Sequence, residues 1–260
     1  MTEKIPGEMI PDISEGQARD WFAVPRPADA EGYLRLQAAT SARLGVWRAG
    51  TRYATQSMLR FRADWAGARD AVNTDVPADF IAACGFLAGS TQCADREVYL
   101  RRPDLGRRLS GETRELYAGK LAHDARVLLA VGDGLSSAAI CANAADVILT
   151  LQQGLALAGI ETGPIPFIKY CRVGVMDDLA PLVRAEAVCL LIGERPGLVC
   201  AESMSAYMAY RPDPGRPESW RTVVSNIHAG GLPPVEAGAQ IAEVMTRILE
   251  QKLSGVALEL

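Results

Sequence analysis

Three short apolar runs in the second half of the chain, Arg126–Val131, Ile165–Ile168 and Val188–Ile192, alternate with stretches of helical periodicity. Runs this short and this apolar read as strands buried on both faces. Between the first two, Ile140, Ala144, Val147, Ile148, Leu151 and Leu155 fall on one helical stripe that ends at Gly159, a residue suited to a helix terminus. Asp177 to Ala185 predicts a second, shorter helix. Strand, helix and strand in this order predict a doubly wound, largely parallel sheet, because a parallel neighbour needs a crossover connection. Met204–Tyr210 and Thr222–Val224 add two expected strands. Pro233-Pro234 then opens a last helix that turns Ile241, Val244, Met245, Ile248 and Leu249 to the core.

The first part of the chain reads differently. Residues 1–14 are expected to form an arm outside the fold, and Ala28 to about Asp75 has a helical pattern carrying Tyr33, Leu34, Leu36, Leu44, Met58, Leu59, Phe61 and Trp65. Arg43, Arg48, Arg52, Arg60 and Arg62 crowd this region, which fits a solvated helix face or an anion or partner site. A short helix is expected from Pro77 to about Leu87, a short strand at Val98–Leu100 and a turn at Pro103–Gly106. Arg101, Arg102, Arg107 and Arg108 flank that turn, and guanidiniums need either water or carboxylate partners, in another subunit or in this chain. The expected class is therefore α/β: a doubly wound domain over residues 121–260, preceded by a smaller, mainly helical region over 1–120 that serves partner-subunit contacts.

Composition narrows the functions available. A net charge of −4 and a pI near 5.4 give no electrostatic reason to bind nucleic acid or an anionic membrane. The polar, proline-containing start MTEKIPGEMIPD does not read as a signal peptide, and no apolar run is read as reaching the ~20 residues of a membrane span. Cys84, Cys93, Cys141, Cys171, Cys189 and Cys200 are irregularly spaced without a Cys-x-x-Cys pair, which suggests reduced thiols, several of them buried, in a cytosolic protein.

Chemistry is expected where strands end. Gly193-Glu194-Arg195-Pro196-Gly197 follows the Val188–Ile192 run at once, placing a carboxylate and a guanidinium where open α/β sheets bind ligands. Pro164 to Asp178 and Thr222 to Gly231 supply two more glycine-bearing loops at the same expected edge. Gly132-Asp-Gly-Leu-Ser-Ser137 nearly matches the dinucleotide fingerprint, with Ser137 in place of the third glycine. No acidic residue closes the next strand; Arg172 there would suit a 2′-phosphate, so an NADP-dependent oxidoreductase is one reading and a tight strand-to-helix turn the other. His228 is read as a structural hydrogen-bonding group, since no second histidine or cysteine lies at metal spacing. A Ser225–His228–Asp133 triad lacks the G-x-S-x-G elbow. Glu194 and Glu202, without a nucleophile beside them, read as hydrogen-bond acceptors rather than an acid–base pair.

Several blocks in one order carry a family resemblance: RPDLGRRL (102–109), VGDGLSS (131–137), LIGERPG (191–197), ESMSAY (202–207), SNIHAGGLPPVEA (225–237) and EQKLSG (250–255). From about residue 16 onward the chain resembles the small subunit of ethanolamine ammonia-lyase. The resemblance implies a Rossmann-like domain that covers adenosylcobalamin from one side, while a TIM-barrel large subunit holds ethanolamine and most catalytic groups. It implies a higher hetero-oligomer of large–small pairs, radical conversion of ethanolamine to acetaldehyde and ammonia, and no catalytic residue or metal ligand in this chain. By position, Val173, Glu194 and Val223 should line the cobalamin, with Arg172 and Arg195 as further contacts. Glu194 would accept hydrogen bonds from corrin amides or the nucleotide-tail ribose; Val173 and Val223 would offer apolar contact, although family members carry cysteine at the position of Val223. The implied location is the cytoplasm or a bacterial microcompartment, and the longer N-terminal extension of many members is not seen in this sequence.

Overall fold

The computed structural model describes residues 22–40 and 42–259. The arm expected at 1–14 lies outside them. The chain divides into two compact units, Met1–Arg69 with Gly197–Cys200, and Asp70–Pro196 with Ala201–Leu260. Residues 70–120 fall in the second of these units.

In the first unit, α1 (Ala30–Ala38) starts at Asp29, whose side chain accepts from the Gly32 N–H and so satisfies an otherwise orphaned donor. A two-stranded antiparallel hairpin, β1 (Arg48–Ala49) and β2 (Arg52–Tyr53), then interrupts the expected continuous helical pattern. The long helix α2 (Thr55–Asn73) follows. Asp64 is flanked by Arg43 at 2.8 Å and Arg60 at 3.0 Å.

The second unit begins with α3 (Ala78–Ala83), β3 (Leu87–Ser90), α4 (Arg96–Arg101), α5 (Gly111–Lys120) and β4 (Val127–Gly132). It continues through α6 (Ser137–Leu157), β5 (Pro166–Lys169), α7 (Met176–Val183) and β6 (Ala187–Gly193), and ends with β7 (Met204–Tyr210), β8 (Thr222–Ile227) and α8 (Pro234–Gln251). The six strands lie in the order β3-β5-β4-β6-β7-β8. The pairs β3–β5, β5–β4 and β4–β6 are parallel, while β6–β7 and β7–β8 are antiparallel. The protein is therefore mixed α/β with a mostly parallel sheet. Every residue of β4 and of β6 is buried, because helices cover both faces. On one face Val127, Leu129, Val131 and Leu191 meet the apolar stripes of α6 and α8. On the other Leu128, Ala130 and Leu190 meet Tyr117 of α5 and Leu179 and Val183 of α7.

Two expectations need correction. Val98–Leu100 lies in α4, not in a strand: Asp95 caps that helix by accepting from the Val98 N–H at 2.8 Å, and Glu97 pairs with Arg101 one turn on at 2.9 Å. The helix expected to reach Leu87 stops at Ala83, and Leu87–Ser90 forms an unexpected parallel strand beside β5. The expectation of no membrane span needs no change, although α6 is long and apolar enough to cross a membrane by length and composition alone. Its Ile140, Val147, Leu151 and Leu155 are instead fully buried in the core with α8, the arrangement of a core helix.

The four arginines around the 103–106 turn all face carboxylates: Arg101 Glu97 at 2.9 Å, Arg102 Asp104 at 2.7 Å, Arg107 Glu218 at 3.7 Å and Arg108 Asp178 at 3.6 Å. All four guanidiniums remain largely exposed, so these pairs contribute little to stability.

Candidate functional site

Because β5, β4 and β6 are parallel and in register, with Gly132 opposite both Ile168 and Ile192, their carboxyl ends open on one edge. The chain leaving β5 turns at Tyr170, which holds a left-handed φ of 58°, and brings Arg172 and Val173 over that edge. The chain leaving β6 brings Glu194 and Arg195. These four residues line one cleft of about 190 Å³ with Tyr99, Leu135 and Tyr207. Val223 is not among its lining residues. It sits on β8 opposite Tyr207 of β7, 47% exposed, on the sheet face that Tyr207 presents.

Glu194 is the anchor of the cleft. Its Oε2 accepts from the Ser203 hydroxyl at 2.7 Å, and its Oε1 accepts from the Ser205 hydroxyl and from the Asn226 N–H at 3.2 Å. Burial pushes this carboxyl up, but the donors from Ser205, Ser203 and Asn226, helped by the His228 ring, outweigh burial and leave it below the ordinary glutamate value. The group is a fixed anion at neutral pH, and Oε2 has one protein donor where two would fit. That leaves an acceptor site for a ligand.

Arg172 is held from below. Its Nη2 donates to the Tyr99 carbonyl at 3.0 Å and its guanidinium carbon lies 4.2 Å from the Tyr99 ring centroid, while Nε is buried with no hydrogen-bond partner. Tyr99 is itself fully buried and donates its hydroxyl to the Cys171 carbonyl at 3.0 Å. Arg195 is exposed and has no hydrogen-bond or ion-pair partner among the described residues. In the sequence, the only signal for Tyr99 is the Asp95 cap that makes its segment helical.

His228 makes a hydrogen bond through each ring nitrogen. Nε2 donates to Asn226 Oδ1 at 2.9 Å and Nδ1 accepts from the Gly230 N–H at 3.1 Å, which assigns the Nε2–H tautomer and occupies both nitrogens. Among the described residues, no group of three or more His, Cys, Asp or Glu side chains is arranged to hold a metal ion. Cys93, Cys171 and Cys189 are buried, Cys84 and Cys200 half-buried and Cys141 exposed, all as free thiols.

Apart from half-buried Leu135, which lines the cleft, the glycine loop is closed to ligands. Asp133, Ser136 and Ser137 are 0%, 0% and 3% exposed. A Cβ on Gly193 would lie 2.0 Å from the Ser136 carbonyl oxygen, and one on Gly134 would lie 2.6 Å from the Gly193 carbonyl oxygen. The glycines therefore allow this loop to meet the end of β6, and no space for a pyrophosphate remains between them. Ser136 caps α6 by accepting from the Ala139 N–H at 3.1 Å and donates its hydroxyl to the Ala201 carbonyl at 2.5 Å. Asp133 points to Arg96 at 3.1 Å and the Val76 N–H at 3.4 Å, with Oδ1 unpartnered. Burial pushes its carboxyl up to about 6 against the pull of the Arg96 guanidinium. The NADP reading loses its phosphate site.

The family model for the ethanolamine ammonia-lyase light chain matches residues 30–259. A small subunit of ethanolamine ammonia-lyase from Listeria monocytogenes serotype 4a is 51% identical over 250 residues, covering 96% of this chain and 85% of that protein. The small subunits from Clostridium perfringens and Clostridioides difficile are each 52% identical, over 252 and 250 residues, covering 97% and 96% of this chain and 85% of each relative.

Proposed function

The chain belongs to the ethanolamine ammonia-lyase light-chain family and so is the small subunit of an ammonia-lyase; on that premise we propose that it covers one side of adenosylcobalamin where it meets the catalytic large subunit. The observation that carries the reading is the convergence of Arg172, Val173, Glu194 and Arg195 on one cleft at the carboxyl edge of the sheet. At about 190 Å³ the cleft is smaller than the ~300 Å³ at which pockets begin to enclose a whole drug-sized molecule, so it fits an edge or the nucleotide tail of a corrin. The donor set fits too: a carboxylate with spare acceptor capacity for amide or ribose donors, and two guanidiniums for carbonyl or phosphate oxygens.

Adenosylcobalamin supplies the carbon radical that starts conversion of ethanolamine to acetaldehyde and ammonia. The residues of this chain bind, orient and exclude water. Glu194, fixed by Ser203 and Ser205, accepts hydrogen bonds without moving; Arg172, stacked on Tyr99, presents a pre-oriented cation; Val173 gives an apolar rim, and Val223 extends it on the next strand pair. We read the sheet as the Rossmann-like, doubly wound platform of this site. The assembly would be a higher hetero-oligomer of large–small pairs, working in the cytoplasm or inside a bacterial microcompartment in ethanolamine degradation.

The test is reconstitution. Acetaldehyde should form from ethanolamine only when this chain, the matching large subunit and adenosylcobalamin are all present. Turnover by the large subunit alone, or a stable complex that holds no cobalamin, would overturn the proposal.

A further inference from the structure

Residues 22–69 have an unusual balance of surface and interior. Among the described residues there, Gln37, Gly45 and Ser57 are buried and no hydrophobic side chain is. Meanwhile Leu34, Leu36, Tyr53, Phe61 and Trp65 are between 49% and 60% exposed. Helices and hairpins of this length do not hold together without an apolar core. Val46, Tyr53, Met58 and Phe61 line a groove of about 700 Å³, with Arg48 and Arg62 in the same lining. A groove that large and that apolar marks a contact surface.

Charge says what kind of surface it meets. Residues 22–69 carry eight arginines, no lysine and three carboxylates, a net +5 in a chain whose total is −4. Asp64 takes up Arg43 and Arg60, but Arg52 and Arg62 have no carboxylate partner among the described residues. A two-fold pairing of this face with the same face of a second copy would set like charges against each other. Arginine and aromatic enrichment without lysine is the composition of an interface core.

The structure assigns this groove to the large subunit: an apolar ridge bordered by Asp and Glu side chains seats on Val46, Tyr53, Met58 and Phe61, and Arg52 and Arg62 pair with its rim. The assignment rests on the small-subunit reading above and adds where the partner binds and by what chemistry.

Phe61→Asp and the double change Arg52→Glu with Arg62→Glu test it in the full chain, by titration against the purified large subunit. Each should weaken association at least tenfold, and the charge-reversal deficit should shrink as salt rises. Both sites are exposed, and unchanged circular dichroism and melting would show that the variants fold. In the wild-type complex, amide exchange across 44–65 should slow relative to the free chain. Variants that associate like wild type, or unchanged exchange over 44–65, would overturn the assignment while leaving the family reading intact. Protection of 44–65 in a dimer of this chain alone would assign the groove to a second copy instead. Failure of the wild-type chain to bind the large subunit would overturn both.

Discussion

Replacing Glu194 with alanine separates what this carboxylate does for the fold from what it does for the cofactor. It removes the acceptor for three donors, which differ in what replaces it. Asn226 is exposed and Ser203 half-buried, so water can take over at both. Ser205 is 2% exposed, and its hydroxyl is left without its acceptor. A buried unsatisfied polar group costs about 1–3 kcal/mol, so the variant should lose roughly 2 kcal/mol. For a chain of this size that is roughly 4–8 °C in melting temperature. Ser205→Ala made on top of Glu194→Ala should cost nearly nothing, giving a coupling of about 1–2 kcal/mol in the double-mutant cycle. Because the folded carboxyl titrates below its ordinary value, its stabilisation is present above the unfolded pKa. It is lost as pH falls through the lower, folded pKa. The gap between wild type and variant should therefore close on acidification below about pH 4. Melting followed by circular dichroism at pH 7 and pH 3.5 measures all of this. Equal stability of wild type and variant at pH 7, or independent Glu194 and Ser205 effects, would refute the anchoring argument.

Gly193→Ala should destabilise the chain by about 3 kcal/mol or more in a denaturant titration, because its Cβ meets the Ser136 backbone and no side chain can yield. NADPH titrated into the wild-type protein should give no saturable binding. Asp133→Asn should change the pH profile in the opposite sense to Glu194. A carboxyl raised to about 6 loses stability as pH rises from its unfolded value to 6, by about 3 kcal/mol. The variant's stability relative to wild type should thus climb between pH 4 and 6.5 in parallel urea titrations; a flat difference would show that burial does not govern Asp133.

Legibility followed locality. The β4 and β6 runs were readable because burial on both faces leaves an unbroken apolar string, and the α6 stripe because its contacts repeat every turn. Leu87-Ala-Gly-Ser was not, since a four-residue edge strand with a glycine has no period to detect. Val98-Tyr-Leu had strand propensity, but the Asp95 cap and the Glu97–Arg101 pair decided for helix. At the cleft, Arg172, Glu194 and Arg195 could be read from their places at strand ends, while Val173 came only from the family resemblance. Tyr99 beneath Arg172 and Arg96 against Asp133 could not, because each acts across more than thirty residues of sequence. The glycine loop misled for a related reason: close backbone approach needs glycine whether the other party is a phosphate or, as here, the end of β6.

The central claim is that the carboxyl-edge cleft covers cobalamin. Amide hydrogen exchange of the reconstituted large–small complex, with and without adenosylcobalamin, tests it most directly. The account predicts slower exchange on cofactor addition at 171–174 and 193–196, with 132–134 and 136–137 unchanged because those residues are already buried. Protection at 132–137 with none at the other two segments, or no change anywhere in this chain, would contradict it.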